Sequence, residues 1–253
     1  MKEPSDSSPM NRRDCLKAMG AAMVAASATG GATAASGKPL YQAGAFDADA
    51  AKAACFALME KFGYPIPDVL RGDDFWVCDF VQGNFLRLGM GGVFWINEKG
   101  NYGSNGGGHY QGEFKDRDFG YLGHDIYLLP GQTLPEHRHI GGPEGYGPKM
   151  EAWQVRYGEV LFFGEYQRAG DEVRIADLPE ARRPWGAGAD WFKSKYAAHR
   201  TAKSGRLYKL EDPESWHGQV AGPEGAIVTE YATYHNHVEF SKPGMAFDNS
   251  KAG

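Results

Sequence analysis

The feature that most restricts the fold is a series of short aromatic and β-branched runs, each cut off within a few residues by Gly, Asn or Pro. They are Phe75–Phe80, Phe85–Met90, Val93–Asn97, His124–Leu129, Ala152–Tyr157, Val160–Tyr166, Glu172–Ala176, Arg206–Leu210 and Ala226–Thr233. Runs of that length and composition are strand material, and a helix needs a longer uninterrupted stretch. One segment breaks the pattern. Asp47–Phe62 is rich in Ala, offers Asp47 or Asp49 as a cap, and stops at Gly63 before Pro65 and Pro67, which together predict a helix. Between Asp177 and Lys203, with Trp185 and Trp191, the chain reads as an irregular insertion with room for one short helix. No internal repeat is visible. One leading helix followed by many short strands and Gly-rich turns predicts a mainly β domain, an antiparallel barrel or jelly roll. The 35 glycines and 13% aromatic content agree with that reading.

Residues 1–37 follow a different grammar. Asn11-Arg12-Arg13-Asp14-Cys15-Leu16-Lys17 precedes an Ala/Gly/Met-rich stretch and a small-residue cleavage site near Ala32-Thr33-Ala34. This is signal-peptide organisation, and the paired Arg12-Arg13 resembles a twin-arginine signal. The expected product is residues 38–253, one domain, exported folded to the periplasm. Export in the folded state lets a metal be loaded before the protein leaves the cytoplasm, where metal availability rather than ligand affinity can choose the ion. The body of the chain has no 18-residue apolar run, so the mature form is not expected to span a membrane. A formal charge of −5 argues against a nucleic-acid partner. Cys55 and Cys78 remain after cleavage, as two thiols or one disulfide. Exposed sheet edges make a homodimer the default assembly.

The chemistry concentrates in Gly131-Gln132-Thr133-Leu134-Pro135-Glu136-His137-Arg138-His139. Two residues apart on a strand, His137 and His139 point to the same face. Two imidazoles aimed into a barrel interior are a metal-binding pair. The gaps from Gly131 to His137 and from Glu151 to Gly158 are similar to the first cupin motif, G-x5-H-x-H-x3,4-E-x6-G. Between His139 and Glu151 lie eleven residues rich in Gly and Pro, a loop inserted into a hairpin. Two carboxylates compete for the motif's Glu. Glu144 has the usual gap after His139, whereas Glu151 has the downstream Gly158 and opens a strand. A third imidazole is expected from His217 in Asp212-Pro213-Glu214-Ser215-Trp216-His217, where Glu214 occupies the place of a Gly in the second cupin motif. Three His and one Glu suit a first-row divalent metal with open positions, Mn, Fe, Co, Ni or Zn. His109, His124 and His199 carry weaker signals. His235 and His237 form a second spaced pair, better suited to substrate contact than to ligation.

With these residues in view, the chain from about Ala48 to Phe240 resembles the cupin-type D-lyxose isomerases, metal-dependent sugar ketol-isomerases. Phe62-Gly63-Tyr64-Pro65-Ile66-Pro67 is similar to that family's opening turn. Val77-Cys78-Asp79-Phe80 with Gly83-Asn84-Phe85 is similar to its first strand pair, and Pro130–His139 to its G-Q-x-x-P-x-H-x-H strand. Lys149-Met150-Glu151 matches its K-x-E, which favours Glu151 over Glu144. Trp216-His217 and Val228-Thr229-Glu230 complete the series. The resemblance implies Mn held by His137, His139, Glu151 and His217, with Glu230 as proton-shuttling base and Lys149 donating to a substrate oxygen. It further implies a free sugar of the D-lyxose/D-xylulose or D-mannose/D-fructose type as substrate. In its apolar strand, Glu230 is expected to be buried with a pKa raised toward neutrality. Trp153 adjoins Glu151, where core packing and pocket lining both remain open. A non-catalytic sugar-binding cupin would place Glu230 outside the metal pocket. A cupin dioxygenase or decarboxylase would show a wholly apolar pocket, because sugars need polar partners.

Overall fold

A computed structural model describes residues 38–98, 121–141, 148–167, 170–233 and 237–247. The signal over 1–37 with Arg12 and Arg13, the Gly-rich turns around His109, Glu144 and His235 lie outside the described residues.

A two-residue ribbon, β1 (Tyr41–Gln42) and β2 (Ala45–Phe46), leads into α1 (Ala48–Phe62). Asp47 caps the helix, its carboxylate accepting the Ala50 N–H at 2.9 Å. Gly63 ends it at φ 65°, and the Tyr64 N–H returns to the Met59 carbonyl at 2.8 Å. This is the left-handed stop that glycine supplies without a Cβ penalty.

The remaining described strands form one antiparallel sheet. Its main path runs β3 (Phe75–Cys78), β4 (Met90–Glu98), β5 (Tyr121–Leu128), β11 (His217–Thr233), β7 (Glu151–Gly164), β9 (Tyr196–Thr201), β8 (Val173–Arg174). Beside β11 also lies β6 (Thr133–His139), itself flanked by β12 (Val238–Phe240), while β10 (Tyr208–Lys209) pairs with β7. The mainly β, cupin-like fold read from the sequence is the fold observed, with α1 packed outside it.

Period-two alternation divides the core. Ile126, Leu128 and Val228 point inward to a cluster with Trp76, Met90, Trp153 and Phe162. Tyr127 and Ile227 point the other way, onto Cys55, Leu58 and Met59 of α1. Burying side chains of the size of Leu58 and Met59 contributes roughly 1.5–3 kcal/mol each, so the helix is held by its packing rather than by propensity. Cys55 and Cys78 are buried and are not joined in a disulfide. Burial pushes the Cys55 thiol up to about 12.

Several element boundaries differ from the sequence reading. Phe85–Met90 is not a strand before Met90. The Arg87 and Leu88 N–H groups turn back onto the Asn84 carbonyl, and the Phe85 N–H and C=O are taken by the Tyr41 hydroxyl and the Gln132 amide. Its backbone groups are satisfied by this turn, by the two side chains and by a single parallel bridge from Leu88 to Thr133, so the segment needs no longer ladder. Ala152–Tyr157 and Val160–Tyr166 merge into the single strand β7. The Gly158 between them sits at φ 72° and marks a bulge opposite Gly222–Gly225 of β11, where the register shifts. Strand β11 likewise begins at His217 rather than Ala226. The stretch Asp177–Lys203 contains β9 as well as a short 3-10 turn, Glu180–Arg182.

Candidate active site

Strand β6 delivers His137 and His139 to one face, as their spacing requires. Both are buried, with ring centroids 5.0 Å apart. His217 opens β11 directly opposite His137 in the β6–β11 register, and those two rings lie 4.4 Å apart. The three imidazoles each present one nitrogen, all within 4.8 Å of one another. Glu151, at the head of β7, closes the group: its carboxylate oxygens lie 3.2 Å from His139 Nε2 and 3.2 Å from His217 Nε2. The structure therefore brings together His137, His139, His217 and Glu151.

The outward nitrogens of two rings are occupied. His137 Nδ1 is 2.8 Å from the Pro135 carbonyl, and His217 Nδ1 is 2.8 Å from the Ser215 carbonyl. A carbonyl can only accept, so each Nδ1 carries the proton and each Nε2 presents its lone pair inward. Among the described residues, the buried His217 Nε2 has no hydrogen-bond donor or acceptor beyond the Glu151 carboxylate that faces it at 3.2 Å. Burial and the neighbouring His217 and His139 rings hold His137 well below the ordinary histidine range. Burial likewise lowers His139. Burial alone would raise Glu151, but His139, Lys149 and His217 hold its carboxyl well below the usual value. Neutral imidazoles with fixed tautomers and an ionised carboxylate are the donor set of a divalent first-row cation.

Lys149, fully buried, carries the site away from the imidazoles. Its ammonium lies 2.8 Å from Glu151 Oε1 and donates to Glu230 Oε1. Burial would lower a lysine pKa, yet the two carboxylates outweigh it and Lys149 stays raised. Glu230 is as buried as expected, but its pKa departs from the expectation. Desolvation pushes it up, whereas Lys149 and the hydrogen bond with His124 push it further down, so its carboxyl is held below the usual range. An apolar strand says nothing of a cation reaching in from another strand.

Two residues that the sequence reading left as weak or open, His124 and Trp153, stand at this site. In the register of β5, β11 and β7, Glu230 stands between His124 and Trp153. Cross-strand neighbours share a face. The Trp153 indole N–H accordingly donates to Glu230 Oε2 at 3.1 Å, and His124 Nδ1 lies 3.5 Å from the same oxygen. His124 is sandwiched by Phe94 at 4.4 Å and Trp76 at 5.5 Å. Only the strand pairing signals its role. His199 is elsewhere, paired with Glu159 at 3.1 Å, and His237 is exposed ahead of β12.

His137, His139, Lys149, Glu230 and His124 line a common pocket. Glu230 thus shares the pocket of the imidazole cluster, against the expectation for a mere binding module. The pocket is not wholly apolar, against that for oxygen chemistry.

No protein-family model matches the chain. It is 32% identical over 117 residues to the D-lyxose/D-mannose isomerase of Thermosediminibacter oceani, covering 45% of this chain and 56% of that one. It is 30% identical over 160 residues to the D-lyxose ketol-isomerase of Cohnella laeviribosi, covering 62% of this chain and 69% of that one. Among solved structures, Cellulomonas parahominis L-ribose isomerase superposes with a TM-score of 0.53 at 15% identity, covering 81% and 93% of the two chains. Acinetobacter sp. DL28 L-ribose isomerase in complex with L-ribose gives 0.52 at 17% identity, covering 78% and 92%. These structural likenesses speak to the fold. The sequence likeness, across more than two thirds of the Cohnella protein, goes further: the chain belongs to the D-lyxose ketol-isomerase family.

Proposed function

We propose that this protein is a metal-dependent aldose–ketose isomerase acting on a free sugar of the D-lyxose or D-mannose type. The observation that carries the reading is the Lys149 ammonium, buried between Glu151 of the imidazole cluster and the separate carboxylate of Glu230. Aldose–ketose interconversion needs a base that moves a proton between C1 and C2 and an acid beside the adjacent oxygens. Here both stand in one pocket with the imidazoles.

His137, His139, His217 and Glu151 would hold the cation, with Mn our choice among Mn, Fe, Co, Ni and Zn. When bound, such an ion polarises a carbonyl and acidifies a neighbouring hydroxyl. Glu230 takes the proton from C2 of the aldose and returns it to C1. The Lys149 ammonium holds Glu230 ionised, so the carboxylate carries no proton before the reaction, and Trp153 and His124 fix its Oε2 while Oε1 faces Lys149. Lys149 donates toward the sugar oxygen on which charge develops. As the proton reaches Glu230, its ion pair with Lys149 weakens and the lysine's proton passes to O1; Lys149 takes a proton back from the O2 hydroxyl as the C2 carbonyl forms and Glu230 delivers its proton to C1.

We further propose export through the twin-arginine route to the periplasm, resting on Arg12-Arg13 and the small-residue stretch that follows. A homodimer is our reading of the assembly, supported by exposed Trp95, Tyr121 and Tyr231 on the neighbouring strands β4, β5 and β11.

The test uses the protein stripped of metal, reloaded with Mn and incubated with free pentoses and hexoses in deuterated water. Ketose product with deuterium at C1, abolished by His137→Ala and reduced at least a hundredfold by Glu230→Gln, is expected. Tight metal loading with no exchange on any sugar would refute the reading.

A further inference from the structure

The polar groups of the pocket form one unbroken series, from the imidazoles through Glu151, Lys149 and Glu230 to His124. The rest of the described lining is apolar. Its centre is an aromatic group: Phe80 meets Phe240 with ring centroids 5.6 Å apart and Phe247 at 6.1 Å, and Phe240 lies 6.0 Å from the His137 ring. These rings come from distant parts of the chain. Phe240 is placed by β12 pairing alongside His137, and Phe247 by edge contact with Trp76 at 4.9 Å. Phe80 is held at a backbone cost. Phe80 and Val81 both occupy the left-handed region, at φ 53° and 60°, and for a β-branched valine this is a strained state. The turn is kept in place by the Asp79 carboxylate, which accepts the Val81 N–H at 2.9 Å.

A sugar whose reacting end lies among the imidazoles and Lys149 would meet Phe80, Phe240 and Phe247 with its remaining carbons, since these rings line the same pocket. A hydroxyl there would surrender its water hydrogen bonds, and no described lining residue of the aromatic group could replace them. A methyl group would lose nothing and gain contact with ring faces and edges.

We propose that the pocket selects aldoses whose terminal carbon bears no hydroxyl, with the terminal methyl group seated against Phe80, Phe240 and Phe247. This substrate class rests on the isomerase reading and refines it.

The experiment compares matched sugars that differ only at the terminal carbon, D-mannose and 6-deoxy-D-mannose. Calorimetric binding to the Mn-loaded full chain is measured beside ketose formation. Tighter binding of the deoxy sugar by about tenfold is expected, the scale of one buried hydroxyl left without a partner. In Phe247→Asn, at the half-buried edge of the wall, that ratio should fall toward one. Equal or tighter binding of D-mannose by the unaltered protein overturns the proposal, as does binding of neither sugar. A ratio unchanged by Phe247→Asn overturns the assignment to the aromatic wall. Preferential binding of the deoxy sugar without ketose formation supports the selectivity and overturns the isomerase reading, so the two failures are distinguishable.

Discussion

Glu214 stands where the second cupin motif has a glycine, and the backbone has kept the glycine's conformation: its φ is 67°. The side chain has found a use, Oε1 accepting the Gly141 N–H at 3.2 Å and so tying the segment after His139 to the one before His217. Two effects therefore oppose each other, and Glu214→Gly and Glu214→Ala separate them. Both lose the contact with Gly141, but only Ala keeps a Cβ in the left-handed region. That conformation costs an L residue about 1–2 kcal/mol. The greater freedom of glycine in the unfolded chain returns about 0.4–1 kcal/mol of this. The Gly variant should exceed the Ala variant in stability by about 1 kcal/mol, or about 2–4 °C in Tm for a domain of this size. Glu214→Gly should itself lie close to the unaltered protein, because a solvent-exposed hydrogen bond of ~1 kcal/mol is exchanged for relieved strain. Thermal denaturation of the metal-free protein, followed by near-UV circular dichroism, reads both differences. An Ala variant that melts at or above the Gly variant would refute the argument, since strain at this position would then carry no measurable cost.

Gly158→Ala should destabilise by at least ~2 kcal/mol, because φ is 72° and an added Cβ would lie 2.1 Å from the Gly225 carbonyl oxygen; urea unfolding with an unchanged midpoint would contradict this. Gln219 is 1% exposed, and its amide N and O have no hydrogen bond among the described residues. Gln219→Met, of similar size, should raise the Tm by a few degrees, roughly 1 kcal/mol, and a fall would show that the amide is satisfied by water. Asp171 pairs with the buried Arg200 at 3.0 and 3.2 Å and with Arg206 at 2.9 Å. Its pKa is lowered: burial raises it, and the Arg200 hydrogen bond with the Arg200 and Arg206 charges together outweigh the burial and bring it down. The stability it contributes is full above the ordinary aspartate pKa and is lost as pH falls through its lowered value. Asp171→Asn should cost about 1–2 kcal/mol at neutral pH, below the ~3–5 kcal/mol of a fully buried pair because Asp171 remains 30% exposed. The deficit should shrink below about pH 4, where the aspartate is increasingly protonated; a deficit constant down to pH 2 would rule out the pairing.

Local rules carried much of the fold. The cap at Asp47, the stop at Gly63 and the strand-length apolar runs are properties of neighbouring residues, so the helix and most strands were legible. The imidazole pair was legible for the same reason: a spacing of two on a strand puts His137 and His139 on one face whatever the rest of the chain does. Phe85–Met90 misled because its strand-like composition says nothing of Tyr41 and Gln132, which take its backbone groups from 44 and 47 residues away.

What the sequence by itself determined, then, was the class of fold, the metal-type histidine pair and the candidate partners His217, Glu151, Lys149 and Glu230. Only the tertiary structure decided how these work together. The register of β11 sets His217 opposite His137 and Glu230 between His124 and Trp153, and register depends on long-range pairing that no local pattern encodes. The protonation state of Glu230 followed the same rule. Burial, which the sequence could foresee, would have raised its pKa; the Lys149 ammonium, brought in from 81 residues away, acts at hydrogen-bond distance inside a low-dielectric pocket and outweighs it.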